Sequence, residues 1–164
     1  MDFVRQVNRR LHEEHDATQR LCARLEQALG ARPWPPETAG GELARVLRGS
    51  TAALADEVAR HFEFEERELF PRLAEAGDGD LAEMLAEEHA TIRDAARRFA
   101  ELEEAVRAQA IDAQGWQQLR VIGLELAERL AAHAQKEEAS LLPAVDDLLD
   151  EETDRSLFAA YVMQ

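Results

Sequence analysis

Cysteine is almost absent from this chain, since Cys22 is the only one among 164 residues. A lone cysteine rules out an internal disulfide and any metal site built from several thiolates. The sequence also lacks a run of about 20 apolar residues, so no transmembrane helix is predicted. The first six residues, MDFVRQ, have no apolar core of a signal peptide, and we therefore expect a cytoplasmic protein.

Positive charge is scarce as well. The chain has 19 Lys and Arg against 34 Asp and Glu, which gives a formal net charge of −15. Because no basic face is evident, neither nucleic acid nor an anionic membrane surface is an expected partner, and nothing in the sequence identifies a protein partner.

Aromatic residues make up only 5% of the chain, and β-branched residues are few, whereas Leu and Ala are abundant. This composition is typical of a helical bundle rather than a sheet. At 164 residues the chain is long enough for one domain with a sizeable core.

Apolar residues recur at helical spacing along four long stretches. The periodicity predicts helices over about residues 2–29, 38–76, 81–108 and 113–149. Asp80 and Asp112 are predicted to cap the third and fourth helices at their N-termini. Pro71 and Pro143 lie inside predicted helices and are expected to kink or loosen them. Three prolines within residues 32–37 predict a stiff surface connection between the first two helices.

Short connections favour antiparallel neighbours. The predicted fold is therefore all-α: an up-down-up-down four-helix bundle over residues 1–150, followed by a short C-terminal helix over residues 151–164 that packs on the bundle. Tyr161, in that last helix, is predicted to reach the end of the bundle.

One segment of the chain occurs twice. Residues 61–71 and 133–143 both read His, three residues, Glu-Glu, two residues, Leu, an apolar residue, Pro. A second matched pair is formed by His15 and His89, each preceded by Glu-Glu. The two pairs of histidines are separated by 72 and 74 residues, so the bundle is predicted to be a tandem pair of helical hairpins, residues 1–76 and 80–149.

The repeated polar residues interrupt apolar helix faces. A His and a Glu four residues apart lie on one face, one turn from each other. An inward ionised carboxylate without a partner is costly, and two carboxylates among four imidazoles require a positive charge between them. We therefore predict a metal site, without separate catalytic residues, whose ligands are His15, His61, Glu65, His89, His133 and Glu137.

Imidazole together with carboxylate suits iron, manganese or zinc. Six protein ligands are too many for one tetrahedral zinc ion and suit a pair of ions bridged by carboxylates. Over about residues 5–150 the chain resembles the hemerythrin-like (HHE cation-binding) family, in its order of His, His-x-x-x-Glu, His, His-x-x-x-Glu. The resemblance implies two non-haem iron ions with an oxo or hydroxo bridge, Glu65 and Glu137 as bridging ligands, and terminal histidines. Zinc or manganese are substitutes that the same ligands accept.

Ferritin-like di-iron bundles are disfavoured because they use Glu-x-x-His. The residues three before the four histidines are His12, Val58, Ala86 and Leu130. Oxygen-carrying hemerythrins have a further His where this chain has Arg93, and their last carboxylate would select Glu138, whereas the internal repeat selects Glu137. About two metal positions then stay open, unless His12 or a neighbouring Glu fills one. Open positions favour reactive chemistry or sensing over reversible oxygen carriage.

The expected function is therefore binding of, or reaction with, O₂, nitric oxide or peroxide at a di-iron centre. If the protein is an enzyme, it is expected to be a peroxide- or nitric-oxide-reactive di-iron oxidoreductase. Three alternatives stay open: an iron or oxygen sensor without turnover, an iron–sulfur-centre repair protein, and a plain helical interaction module. The repair role has less support because its di-iron relatives often carry a cysteine-containing N-terminal segment.

Three further residues carry weaker expectations. Glu14 and Glu88 precede the two lone histidines and are expected by default to be exposed acidic residues, with orientation of an imidazole as the alternative. Cys22 is predicted to be a small apolar residue of the core.

Overall fold

The computed structural model describes residues 3–30 and 41–163, and every regular element within them is helical. Five helices follow one another: α1 (Gln6–Gly30), α2 (residues 42–76), α3 (Gly79–Arg107), α4 (residues 113–148) and α5 (Glu151–Val162). The predicted all-α class is confirmed. The connection predicted at residues 32–37 lies outside the described residues. In the described part of the chain, no helix is both long and apolar enough to cross a bilayer.

The helix starts agree with the predicted ones to within a few residues, with one correction. Asp112 caps α4 as predicted, since its carboxylate accepts a hydrogen bond from the Gly115 N–H at 2.8 Å. The prediction for Asp80 is wrong, because Asp78 occupies the N-cap position of α3 and Asp80 lies in the first turn. Gly77, with φ at 104°, ends α2 in a conformation that glycine adopts without strain, so the chain enters α3 early.

Carboxylates from the far end of the chain cap the start of α1. Asp154 accepts hydrogen bonds from the N–H groups of Gln6 and Val7, at 2.9 and 3.0 Å. Asp146 accepts hydrogen bonds from the N–H groups of Val4 and Arg5, both at 2.9 Å. These donors lie where a helix has no internal acceptor for them. The contacts tie α1 to α4 and α5, and α1 begins at Gln6 rather than near residue 2.

Two helices change their hydrogen-bond pattern beside the repeated His and Glu. Three π-helical turns are present: Glu57–His61 and Glu65–Leu69 in α2, and Glu137–Leu141 in α4. The remaining segments, Glu42–Asp56, Phe62–Phe64, Phe70–Ala76, Ala113–Lys136 and Leu142–Leu148, are α-helical. Pro71 and Pro143 follow the last two π turns. Because proline offers no N–H, the loosening predicted at these residues takes the form of a wider turn that precedes each of them.

Buried apolar side chains form two clusters at different levels of the bundle. The first includes Cys22, Phe62, Ile92, Trp116 and Leu130, and the second includes Leu11, Phe64, Leu85, Leu141 and Tyr161. Helix α1 packs against α2 and α4, α3 packs against the same two helices, and α5 packs against α1. Along α1, α3 and α4 the repeated polar residues lie between residues of the two clusters, and along α2 they lie where the helix passes from the first cluster to the second. A polar layer therefore crosses the middle of the core.

Candidate metal centre

The six predicted ligands converge in this polar layer. All are buried, with relative exposures between 0 and 3%. They form two groups whose ligand atoms lie within 4.8 Å of one another: His15, His61, Glu65 and Glu137, and Glu65, His89, His133 and Glu137. The two glutamates belong to both groups. The geometry thus offers two adjacent cation positions that share a pair of carboxylates.

Most of the inward-facing atoms lack a hydrogen-bond partner in the described part of the chain. Both carboxylate oxygens of Glu65 and of Glu137 are buried and unpaired, as are the Nε2 atoms of His15 and His61. His15 Nε2 lies only 3.0 Å from Glu137 Oε2, and His61 Nε2 lies 3.2 Å from Glu65 Oε1. A buried polar atom without a partner costs about 1–3 kcal/mol. Cations at the two positions would provide partners for these atoms.

A second ring of carboxylates surrounds the histidines. Each Nδ1 atom faces one glutamate oxygen: His15 with Glu138 at 2.8 Å, His61 with Glu14 at 2.9 Å, His89 with Glu66 at 2.8 Å, and His133 with Glu88 at 2.8 Å. An ionised carboxylate only accepts hydrogen bonds, so each Nδ1 carries the proton and donates it. The Nε2 lone pairs are therefore left to point inward, as metal ligation requires.

His89 and His133 also need a cation near their inward-facing nitrogens. Their Nε2 atoms are 2.9 Å apart. Since both Nδ1–H groups donate to carboxylates, two neutral rings would aim their lone pairs at each other. This contact is repulsive unless a proton or a metal ion lies between the two nitrogens.

Without a metal ion, protons supply the positive charge of the layer. Burial alone lowers the pKa of His15, but the carboxylates of Glu137 and Glu138 outweigh it and raise this pKa to about 9. Burial likewise lowers the pKa of His89, and Glu137 and Glu65 raise it to about 9. Burial raises the pKa of Glu137, yet the histidines around it hold that pKa well below its usual range. Metal binding must therefore displace protons from the imidazoles.

Glu14 is the most enclosed of the four outer carboxylates. Besides His61, it accepts hydrogen bonds from the Tyr161 hydroxyl and from Arg60 at 3.0 Å, and Arg10 lies 2.9 Å away. Burial raises the pKa of Glu14, but the hydrogen bonds from His61 and Tyr161 outweigh it and lower this pKa to about 2. Glu14 is therefore ionised and orients His61; the default expectation that it is exposed is wrong, because it is buried against these donors.

The other outer carboxylates are partly exposed. Arg93 donates two hydrogen bonds to Glu66, at 2.6 and 3.0 Å, and Lys136 donates one to Glu88. Arg93 therefore supports a carboxylate that orients His89.

His12 and Glu138 lie outside the inward layer. His12 Nδ1 is 2.9 Å from Glu138 Oε2, and the His12 side chain is 40% exposed. Neither residue belongs to the two groups that can hold a cation. Glu137, which the internal repeat selects, belongs to both groups. Cys22 is buried in the first apolar cluster, as predicted.

Sequence reasoning missed the role of two residues. Glu66 follows Glu65 just as Glu138 follows Glu137, so the repeated Glu-Glu pair was a usable signal for an outer carboxylate. Tyr161, predicted to lie at the bundle end, bonds through its hydroxyl to Glu14, one residue behind a ligand. Its helix stands outside the repeat, and no periodicity in the sequence indicates this contact.

The described part of the chain is an all-helical bundle whose buried His and Glu groups can hold a cation. Its class is therefore that of the metal-binding helical bundles. The family model for the hemerythrin HHE cation binding domain matches residues 6–145. The chain belongs to this family, and the resemblance seen in the order of the histidines and glutamates is confirmed. Among curated proteins, no significant match to the chain is found.

Proposed function

We propose that the protein holds two non-haem iron ions in the polar layer and binds or reacts with O₂, nitric oxide or peroxide there. The supporting observation is the convergence of buried imidazole and carboxylate atoms that have no partner among the described residues. Imidazole and carboxylate are the ligands that iron shares with manganese and zinc. In the proposal Glu65 and Glu137 are held in common by both ions, with two histidines for each ion.

An iron pair, when bound, supplies electrons to a small oxidant. The residues of this chain orient the ligands and keep water away from them. The outer carboxylates fix the proton of each histidine on Nδ1. Phe62 stacks on His89, with ring centroids 3.7 Å apart and 4° between the planes, and so covers that ligand with an apolar surface. We propose in addition that the four long helices run in the predicted up-down-up-down order.

Arg93 favours reaction or sensing over reversible oxygen carriage. It stands where the oxygen carriers have a further histidine, and its guanidinium is engaged by Glu66. In the proposed centre, one position that a histidine would occupy is therefore open to a small molecule.

The test is to load the protein with iron, reduce it without air, and record optical spectra on exposure to O₂, nitric oxide or peroxide. We expect a spectral change with at least one of the three. The variant Glu65→Gln should lose most of the response, whereas Glu63→Gln, an exposed glutamate on the same helix, should keep it. A reduced, iron-loaded wild-type protein that responds to none of the three overturns the proposed reactivity.

A sensor without turnover is the second candidate. The observation that favours it is the position of the ligands, which come from all four long helices and lie between the two apolar clusters. Loss of the ions would weaken the centre of the bundle, and this change could be read by a partner protein. The sensor is favoured if circular dichroism shows lost helicity in metal-free protein and the iron-loaded protein does not turn over peroxide. Steady turnover favours the enzyme.

A further inference from the structure

The carboxylates behind His61 and His133 are equivalent in the internal repeat. Glu14 and Glu88 each precede the lone histidine of a hairpin, and each accepts the Nδ1–H of the histidine in the following helix, at 2.9 and 2.8 Å. By the repeat alone, the two halves of the centre should be alike.

The surroundings of the two carboxylates nevertheless differ. Arg10 and Arg60 both lie against Glu14, whose side chain is 9% exposed. The residues at the matching positions of the second hairpin are Met84 and Ala132, which offer no donor, and Lys136 is the basic residue that bonds to Glu88 instead. Met84 and Ala132 line an open groove of about 360 Å³ together with Glu88, whose side chain is 30% exposed.

Tyr161 completes the enclosure of Glu14 from outside the repeat. It is 1% exposed, its ring lies 4.4 Å from that of Phe64, and the Arg60 guanidinium lies 5.0 Å from its ring centroid. Its hydroxyl donates to Glu14. Burial, and then the hydrogen bond to Glu14, raise the pKa of Tyr161, so the phenol stays protonated and remains a donor at neutral pH.

We propose that Tyr161 is a positioning residue that makes the two metal positions inequivalent. Through Glu14 it holds the His61 ring in place, and helix α5 supplies no such group to His133. This inference rests on the proposed function, because it requires that the polar layer binds two metal ions.

The experiment compares wild-type protein with Tyr161→Phe, using zinc as a diamagnetic probe. The variant keeps the ring and its packing and removes only the hydroxyl. Chelator competition should show one of two zinc ions weakened about tenfold, the low end of the range for residues that support a ligand. In NMR spectra of protein labelled at histidine, only the His61 Nδ1–H signal should move, because Glu14, its acceptor, loses the Tyr161 donor.

Lys136→Met is the matched variant on the other side. It removes the donor to Glu88 and should move the His133 signal while leaving that of His61 in place. If Tyr161→Phe moves no histidine signal, moves all four alike, or weakens both zinc ions equally, Tyr161 is only a packing residue and the inference is wrong. If wild-type protein fails to bind two zinc ions, the proposed metal centre itself is overturned and the inference with it.

Discussion

At the scale of single residues, the outer carboxylates decide the chemistry of the histidines. Each of the four imidazoles has a glutamate at Nδ1, so each is held in one tautomer and one orientation. The inward geometry of Nε2 therefore depends on residues that do not themselves face the cation position. We therefore predict that substitution of an outer carboxylate changes the affinity for metal ions.

Glu88→Ala should weaken metal binding about 10- to 100-fold, because His133 loses the carboxylate that fixes its proton and its ring. Competition with a chromophoric chelator measures the loss. Glu87→Ala is the matched control, since Glu87 is the exposed neighbour in sequence, and it should bind like the wild type. Equal affinity of the two variants would contradict the role assigned to Glu88.

Cys22 should react slowly with thiol reagents in the folded protein. Burial raises the pKa of its thiol to about 11, and nearby glutamates add to the effect, so little thiolate exists at pH 8. Alkylation by iodoacetamide at pH 8 should be at least tenfold slower in folded protein than in denaturant, by the pKa difference from an ordinary thiol alone. Rapid labelling of the folded protein would mean that Cys22 is accessible and ionised.

At the scale of helices, two features connect distant parts of the chain: the carboxylate caps on α1 and a close crossing at Gly123. Asp154 lies in α5, and its two hydrogen bonds to the start of α1 span almost the whole sequence. Gly123 lies in α4, where an added Cβ would meet Leu29 at 2.4 Å and Phe99 at 2.9 Å. Each feature yields a prediction about stability.

Asp154→Ala should lower the free energy of unfolding by about 1–2 kcal/mol, because two N–H groups at the start of α1 lose their acceptor. Denaturant unfolding followed by circular dichroism measures the change. Asp147→Ala removes an exposed carboxylate near the same end of α4 and should change stability by less than about 0.5 kcal/mol. Equal effects of the two substitutions would rule out the capping role.

Gly123→Ala should destabilise the fold by about 1–3 kcal/mol, because the added methyl group overpacks the crossing with Leu29 and Phe99. Gly49→Ala provides the opposite case. Nothing lies within 4 Å of its added Cβ, so the higher helix propensity of alanine should stabilise α2 by about 0.5–1 kcal/mol. The same unfolding measurement should show opposite signs for the two variants, and a common sign would contradict the packing described at Gly123.

The sequence allowed prediction where residues recur with the period of the helix or with the internal repeat. His61 with Glu65 and His133 with Glu137 recur in both ways, so their common inward face could be predicted without coordinates. The N-cap of α4 was predictable because Asp112 and the Gly115 N–H are neighbours in sequence. The caps on α1 and the contact between Tyr161 and Glu14 join residues more than 140 positions apart, and no local pattern specifies such pairs. The π turns depend on hydrogen bonds that side-chain periodicity does not encode.

At the scale of the whole molecule, the polar layer couples metal binding to stability and pH. In metal-free protein, His15 and His89 have pKa values raised to about 9, above the ordinary value of 6.5. A raised pKa means that the folded state holds the proton more tightly than the unfolded chain. The resulting stabilisation is complete below about pH 6.5 and is lost as pH rises through about 9.

The unfolding temperature of metal-free protein should therefore fall between pH 6.5 and pH 9.5. Metal-loaded protein should show a smaller fall or none, because the ions replace the protons. Differential scanning calorimetry of both forms across this range makes the comparison. A metal-free protein whose unfolding temperature rises steadily over the same range would contradict the charges assigned to the layer.

Metal quantitation tests most directly the proposal that the layer holds two metal ions through six ligands, of which Glu65 and Glu137 are shared. Iron-replete protein, purified and exchanged into metal-free buffer, should contain about two metal ions per chain by elemental analysis. Glu137→Ala should lose most of this metal, while Glu138→Ala should retain more of it, because Glu137 belongs to both groups that can hold a cation and Glu138 belongs to neither. Wild-type protein that retains no metal, or that retains no more than the Glu137→Ala variant, would contradict the account.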